Sequence, residues 1–178
     1  MISKMKKGII IQGSSRSHGD TNRLAMFVSE KTKFPIIDLK TKSIAEFDYE
    51  FKNRGDDFLP LIKDIVDNYD LIIFATPVYW YSMSGIMKTF FDRISDCLKI
   101  EKDTGRKLRG KEMAVISCSP ADDLVDGFYM PFIESANYLG MKYLGEVHGW
   151  IVENKIPEIV SGRLDEFVDE MLSNKSIN

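Results

Sequence analysis

Leu71-Ile72-Ile73-Phe74-Ala75-Thr76-Pro77-Val78-Tyr79-Trp80-Tyr81-Ser82-Met83-Ser84-Gly85 is the stretch that decides how the chain reads. Residues 71–75 are its most apolar short run, the kind that forms a strand buried on both faces of a parallel sheet. Beyond Gly85, the residues Met87, Phe90, Phe91, Ile94 and Leu98 recur at helical spacing, and Ser84 is placed to cap the first turn. The stretch therefore runs from a buried strand through an aromatic turn into a helix. In an open α/β sheet, ligands bind at that edge. Pro77 stiffens the turn. Tyr79, Trp80 and Tyr81 offer either a flat surface for a planar ligand or a core end-piece and subunit contact, and aromatic content alone does not choose between them.

The 178 residues, 44% of them hydrophobic, suffice for one sizeable core, so a single domain over 1–178 is expected. A formal charge of −3 without a basic cluster leaves no electrostatic footprint for nucleic acid. Lys4, Lys6 and Lys7 precede an apolar run that ends at Gln12, too short for secretion or for spanning a membrane. A cytoplasmic protein without a membrane partner is the expectation. Cys97 and Cys118 form neither a CxxC pair nor a Cys/His cluster, so no disulfide framework and no metal site is indicated, and both read as small buried hydrophobes.

Taken in order, residues 7–12 read as a first strand. They lead into the polar loop Gly13-Ser14-Ser15-Arg16-Ser17-His18-Gly19-Asp20-Thr21-Asn22 and then a helix with Leu24, Phe27 and Val28 inward, capped by Asp20 or Thr21. Residues 35–39 are a second strand candidate, and residues 40–55 are irregular, with Phe47, Tyr49 and Phe51 lending strand-like content. Asp56 or Asp57 opens a helix carrying Leu61, Ile62, Ile65 and Val66. Residues 101–110, charged and punctuated by glycine, predict a loop, and residues 112–117 a fourth strand ending in a polar loop to Asp123. A helix over 128–140 closes on Gly140, a fifth strand falls within 142–151, and Pro157 opens the last helix. Five strands alternating with helices call for a doubly wound parallel α/β sheet. Short connections favour the flavodoxin-like order 2-1-3-4-5, with the ligand cleft beside strand 1.

That order brings together three loops distant in sequence: 13–22, 76–84 and 117–123. The first suits a phosphate, with tight glycine turns, hydroxyls on Ser14, Ser15, Ser17 and Thr21, open N–H groups at a helix start and the charge of Arg16. It contains neither a GxGxxG nor a Walker lysine, which disfavours ATP or a dinucleotide held in those ways. A phosphate cradle beside a proline-aromatic wall and a third polar loop fits a flat phosphorylated heteroaromatic, and flavin mononucleotide has those parts.

With these residues in view, the chain resembles the NADPH-dependent FMN reductase and related NAD(P)H oxidoreductase families. The likeness rests on residues 13–22, on residues 76–85 and on Lys88, Phe90, Phe91, Asp92 and Arg93. The resemblance implies a flavodoxin-like fold, FMN as cofactor with NADPH or NADH as co-substrate, and a homodimer or homotetramer with sites near subunit contacts. It implies that Ser14, Arg16, Ser17, Thr21 and Asn22 hold the phosphate, that Pro77, Val78, Tyr79 and Trp80 line the ring, and that Ser119 contributes from the third loop. No side chain is assigned as catalytic, because the flavin carries the chemistry. The chain departs from related iron-sulfur flavoproteins in having no cysteine in residues 40–57, from many relatives in carrying Tyr81 where a small residue is common, and from some in lacking a glycine-rich third loop.

The function so implied is hydride transfer from NAD(P)H to FMN and then to a small-molecule acceptor of quinone, flavin, nitro or azo type. An electron carrier serving protein partners without NAD(P)H turnover is the alternative, and the modest charge of −3 argues mildly against it. A flavin-free regulatory protein on the same scaffold is a third. His148 and His18 each fit either a functional or a structural role, Cys118 has no basic partner that would make it a nucleophile, and Asp122-Asp123 reads as a turn and helix cap.

Overall fold

The computed structural model describes residues 6–173, so Lys4 and the outermost residues of the expected 1–178 domain lie outside the described residues. The strands are β1 (Gly8–Gln12), β2 (Ile36–Asp38), β3 (Leu71–Tyr79), β4 (Ser82–Met83), β5 (Glu112–Cys118) and β6 (Lys142–Gly149). The helices are α1 (Asp20–Thr32), α2 (Phe58–Asn68), α3 (Gly85–Lys99), α4 (Lys102–Arg106), α5 (Met130–Leu139) and α6 (Glu158–Leu172). The sheet order is β2-β1-β3-β5-β6, all parallel, with the short β4 paired antiparallel to β3 alone. With β4 set aside this is the flavodoxin-like order, and the sixth strand is a difference from the five expected.

Alternation along the strands sorts the core into two layers. Ile9, Ile11, Ile72, Phe74, Met113 and Val115 pack toward α2, α3 and α5, with Cys97 among them. Ile10, Ile73, Ala75, Ala114, Ile116 and Val147 pack toward α1 and α6, with Cys118 among them. Both cysteines are buried and unpaired, as small hydrophobes are. Among the described residues, no helix is long and apolar enough to cross a membrane.

Three departures from the sequence reading have local causes. The segment after α3 contains α4 rather than only a loop, because Gly105 lets the chain press against α3: a Cβ there would sit 2.5 Å from the Cys97 carbonyl oxygen. β3 does not stop at Ala75 but continues through Pro77 to Tyr79. The last β1–β3 pair is Gln12 with Ala75, so the missing N–H of Pro77 takes no bond from β1. In β6 the register slips, Met113 pairing with Tyr143 but Ala114 with Gly145, so Leu144 is an extra residue in a bulge. Gly145 sits there at φ 129, a conformation nearly closed to other residues.

The irregular insertion is held by side chains and not by strand pairing. After a 3-10 turn at Leu39–Thr41, the Ser43 and Ala45 N–H groups donate to Asp57 Oδ2 (2.7 Å) and Asp56 Oδ2 (2.9 Å). Arg93, 1% exposed on α3, pairs with Asp56 and Asp96 and donates to the carbonyls of Ala45 (3.0 Å) and Asn53 (3.1 Å). Its guanidinium also lies 5.0 Å from the centre of the Phe58 ring. Partial burial by itself would raise the Asp56 pKa, but the Arg93 guanidinium and the N–H groups of Phe58 and Ala45 outweigh it and hold the carboxyl below its ordinary range.

Replacing Arg93 with Met leaves the buried Asp96 and the partly buried Asp56 without their partner, and urea unfolding should show a loss of about 3–5 kcal/mol. The depressed Asp56 pKa fixes the sign of the acid effect. Its stabilisation is complete above the usual carboxylate value of about 4 and declines as pH falls through the lower folded-state value. Urea melts of the Asp56→Asn variant across that acid range should lack this part of the wild-type slope.

Candidate functional site

The C-terminal ends of β1, β3 and β5 carry the three loops, and specific contacts tie the loops in pairs. Ser84 caps α3, accepting the Met87 N–H (3.1 Å), and its hydroxyl donates to the Gly13 carbonyl (2.5 Å). Its own N–H donates to Thr76 Oγ1 (3.0 Å), which donates in turn to the Pro77 carbonyl (3.0 Å). Gly13 allows this approach: a Cβ there would lie 2.9 Å from Met87 Cβ. Farther out, Ser15 Oγ and Tyr79 OH share a hydrogen bond of 2.8 Å. The first and third loops meet where Thr21 lies beside Cys118. Burial, then the nearby Asp20 charge, push the Cys118 thiol up to about 12, so it is no nucleophile at neutral pH.

Within the first loop, the Ser14 hydroxyl accepts the Arg16 N–H (3.2 Å), while Arg16 is exposed and pairs with Asp20 at 3.6 Å. The helix cap expected from Asp20 or Thr21 is instead Gly19, which makes no side-chain cap bond. The first-turn N–H groups of α1 therefore have no capping oxygen and point at whatever occupies the loop, the arrangement that favours an anion. An exposed ion pair such as Arg16–Asp20 is worth about 0–1 kcal/mol, so a dianion can take Arg16 from it. Thr21 is buried, Ser17 half-buried and His18 exposed. Asn22 is committed inward, its Nδ2 donating to Gln12 Oε1 (2.8 Å), while Gln12 Nε2 donates to the Ser17 carbonyl (3.1 Å). Gln12, fully buried, braces the loop from below, and a polar residue ending an apolar strand was its only sequence signal.

The aromatic stretch is a hairpin. Tyr79 pairs with Ser82 across a two-residue turn in which Trp80 (φ 48) and Tyr81 (φ 64) both adopt left-handed backbone. That is the type I′ pattern, which normally takes Asn-Gly. Alternation along β3 sends Tyr79 toward Ser15 and Val78 to the opposite side. There Val78, Trp80 and Tyr81 face Ser119, Pro120, Asp123 and Val125 across a cleft of about 220 Å³. Pro77 is buried in the sheet beside Cys118 and does not line this cleft. Ser119 Oγ lies 2.6 Å from the Ala121 carbonyl and 2.8 Å from Asp123 Oδ1, both acceptors, so its one proton serves its own loop. Trp80 is 92% exposed and Tyr81 68% exposed, so neither is a core end-piece.

The sequence profile of the NADPH-dependent FMN reductase family matches residues 6–151. Over 154 residues the chain is 30% identical to YwqN of Bacillus subtilis strain 168, whose name describes an NAD(P)H-dependent FMN-containing oxidoreductase, covering 79% of this chain and 82% of that protein. It is 30% identical over 128 residues to an FMN-dependent NADPH-azoreductase of Staphylococcus aureus, 66% of each chain. The solved Trp repressor binding protein of Bacillus subtilis superposes with a TM-score of 0.73 at 25% identity, covering 96% of this chain and 99% of that one.

Non-glycine residues in left-handed backbone cost about 1–3 kcal/mol each, and little intramolecular packing compensates two exposed side chains at this tip. The double variant Trp80→Asn with Tyr81→Gly should therefore unfold at higher temperature than the natural chain, by a few degrees, in a thermal melt.

Proposed function

The chain belongs to the NADPH-dependent FMN reductase family, and from that premise we propose that it is an FMN-dependent NAD(P)H oxidoreductase. We propose further that it delivers electrons to a small aromatic acceptor of quinone, flavin, nitro or azo type, and that it works in the cytoplasm as a homodimer or homotetramer. One observation carries the reading. A phosphate-suited loop and a strained aromatic hairpin are held against each other by the Ser84–Gly13 hydrogen bond, with a cleft opening between the hairpin and the third loop.

The residues present suit the cofactor. The uncapped first turn of α1, the hydroxyls of Ser15 and Ser17 and the guanidinium of Arg16 are donors for a phosphate. Val78, Trp80, Pro120 and Val125 give the cleft apolar walls for a ring. Bound FMN would supply the redox chemistry, accepting hydride from NAD(P)H and passing electrons on. The chain's own residues orient and shield the ring, and the exposed Trp80 and Tyr81 suit contact with an aromatic acceptor or a second subunit.

Three measurements test this. The purified or reconstituted protein should show a bound-flavin visible band, and a protein that takes up no FMN contradicts the proposal. Anaerobic NADPH or NADH should bleach that band directly; bleaching only by a reduced partner protein would favour the electron-carrier alternative. The Arg16→Ala variant should bind FMN about tenfold or more weakly, the worth of a charged hydrogen bond, while its affinity for riboflavin stays unchanged.

A further inference from the structure

His148, next to the end of β6, sits inside a hydrogen-bond chain of which the loop assignments use only Ser119. Its Nδ1 lies 2.8 Å from Ser117 Oγ, which is 2.6 Å from Tyr129 OH. Its Nε2 lies 3.1 Å from both the Ala121 carbonyl and Ser119 Oγ, and Ser119 reaches Asp123. A carbonyl oxygen only accepts, so Nε2 must carry a proton. In the neutral ring Nδ1 is then the acceptor, Ser117 donates to it, and Tyr129 donates to Ser117. The chain of donors has one direction, from the residue that precedes α5 through β5 and β6 into the third loop.

The aim of His148 depends on the bulge. Tyr143 packs on the α5 side of the sheet and Leu144 on the α1/α6 side. Strict alternation from Tyr143 would put Val147 on the α5 side and His148 on the other. The extra residue reverses this: Val147 packs with α1 and α6, and His148 stands beside Ser117 and Tyr129. The Gly145 backbone that makes the bulge possible thus delivers an imidazole to the underside of the 119–123 loop.

We infer that His148 is a positioning residue for the cleft: neutral, with its proton on Nε2, it latches the 119–123 loop in the shape that faces the Trp80 hairpin. The inference rests on the flavin reading, since that loop is a wall of the cofactor cleft. Protonating the ring places a second N–H against Ser117 and removes the acceptor of the Ser117 proton, which must then go unpaired or turn to Tyr129 and displace the half-buried phenol's own proton. Tyr129 cannot relieve this by ionising, because burial pushes its pKa up. The charged groups near this chain are Asp122, which lies close enough to His148 to feel its charge and pairs with Arg163 of α6 at 2.8 Å, Asp123 of the same loop, and Glu146 of β6 near Tyr129.

The test uses two readouts on the whole chain. Long-range ¹⁵N–¹H NMR is tractable with only two histidines, and the exposed His18 serves as internal reference. Near neutral pH, His148 should be a single Nε2–H tautomer, with or without FMN; an Nδ1–H or mixed tautomer overturns the latch. FMN titrations form the second readout. His148→Phe should bind about tenfold more weakly, the scale of one or two lost hydrogen bonds, and His148→Gln, which keeps a donor to the loop, should recover part of that. The ratio of wild-type to His148→Gln dissociation constants should rise as the solution is acidified, because only the wild-type side chain can take up a second ring proton. Identical pH profiles, or a Phe variant that melts lower yet binds FMN normally, overturn the inference. If the Phe variant does not fold, the Gln profile and the tautomer still decide it. If the wild type binds no FMN, the flavin reading falls while the tautomer still judges the latch.

Discussion

The hydroxyl of Ser84 acts twice, as acceptor for the first turn of α3 and as donor to the Gly13 carbonyl, and the geometry of the site follows from that bond. Gly13 begins the loop that leads into α1, and Ser84 ends the hairpin that leads into α3, so one buried contact sets two helix starts against each other. Thr76 fixes Ser84 from its backbone side, and Met87 leaves room at Gly13 only for hydrogen. Buried polar groups require partners, and here the requirement is met between loops rather than within them. Gln12 repeats the device one residue earlier, bracing the first loop through Ser17 and Asn22.

A second constraint acts at the other end of the cleft. The β6 bulge changes the phase of the strand, so that the residue reaching the third loop is His148 instead of the aliphatic Val147. Strain at Trp80 and Tyr81 lies at the cleft itself, whereas the positive-φ backbone of Gly145 lies within β6 and acts on the cleft only through His148.

The fold was largely legible because its signals are local. Short apolar runs ending in polar loops gave the strands, and helical spacing, the Ser84 cap and the left-handed Gly140 cap gave the helices. The site was legible in outline, as loops converging at one edge. What escaped was decided by tertiary contact. Trp-Tyr is a poor match to a type I′ turn, so nothing local announced a hairpin. The aspartate expected to cap α1 pairs with Arg16 instead, leaving the cap to Gly19. The short α4 depends on Gly105 meeting the Cys97 carbonyl. The bulge exists only in the pairing of β6 with β5, so the side chosen by His148 was invisible in sequence.

The central claim is that one ligand spans the open start of α1 and the cleft between the hairpin and the third loop. A crystal structure of the protein with FMN tests it most directly. The account predicts the phosphate within hydrogen-bonding distance of the N–H groups opening α1 and of Arg16, with the ring between Val78–Trp80 and residues 119–125. A phosphate bound away from that helix start, or a ring outside the cleft, would contradict it.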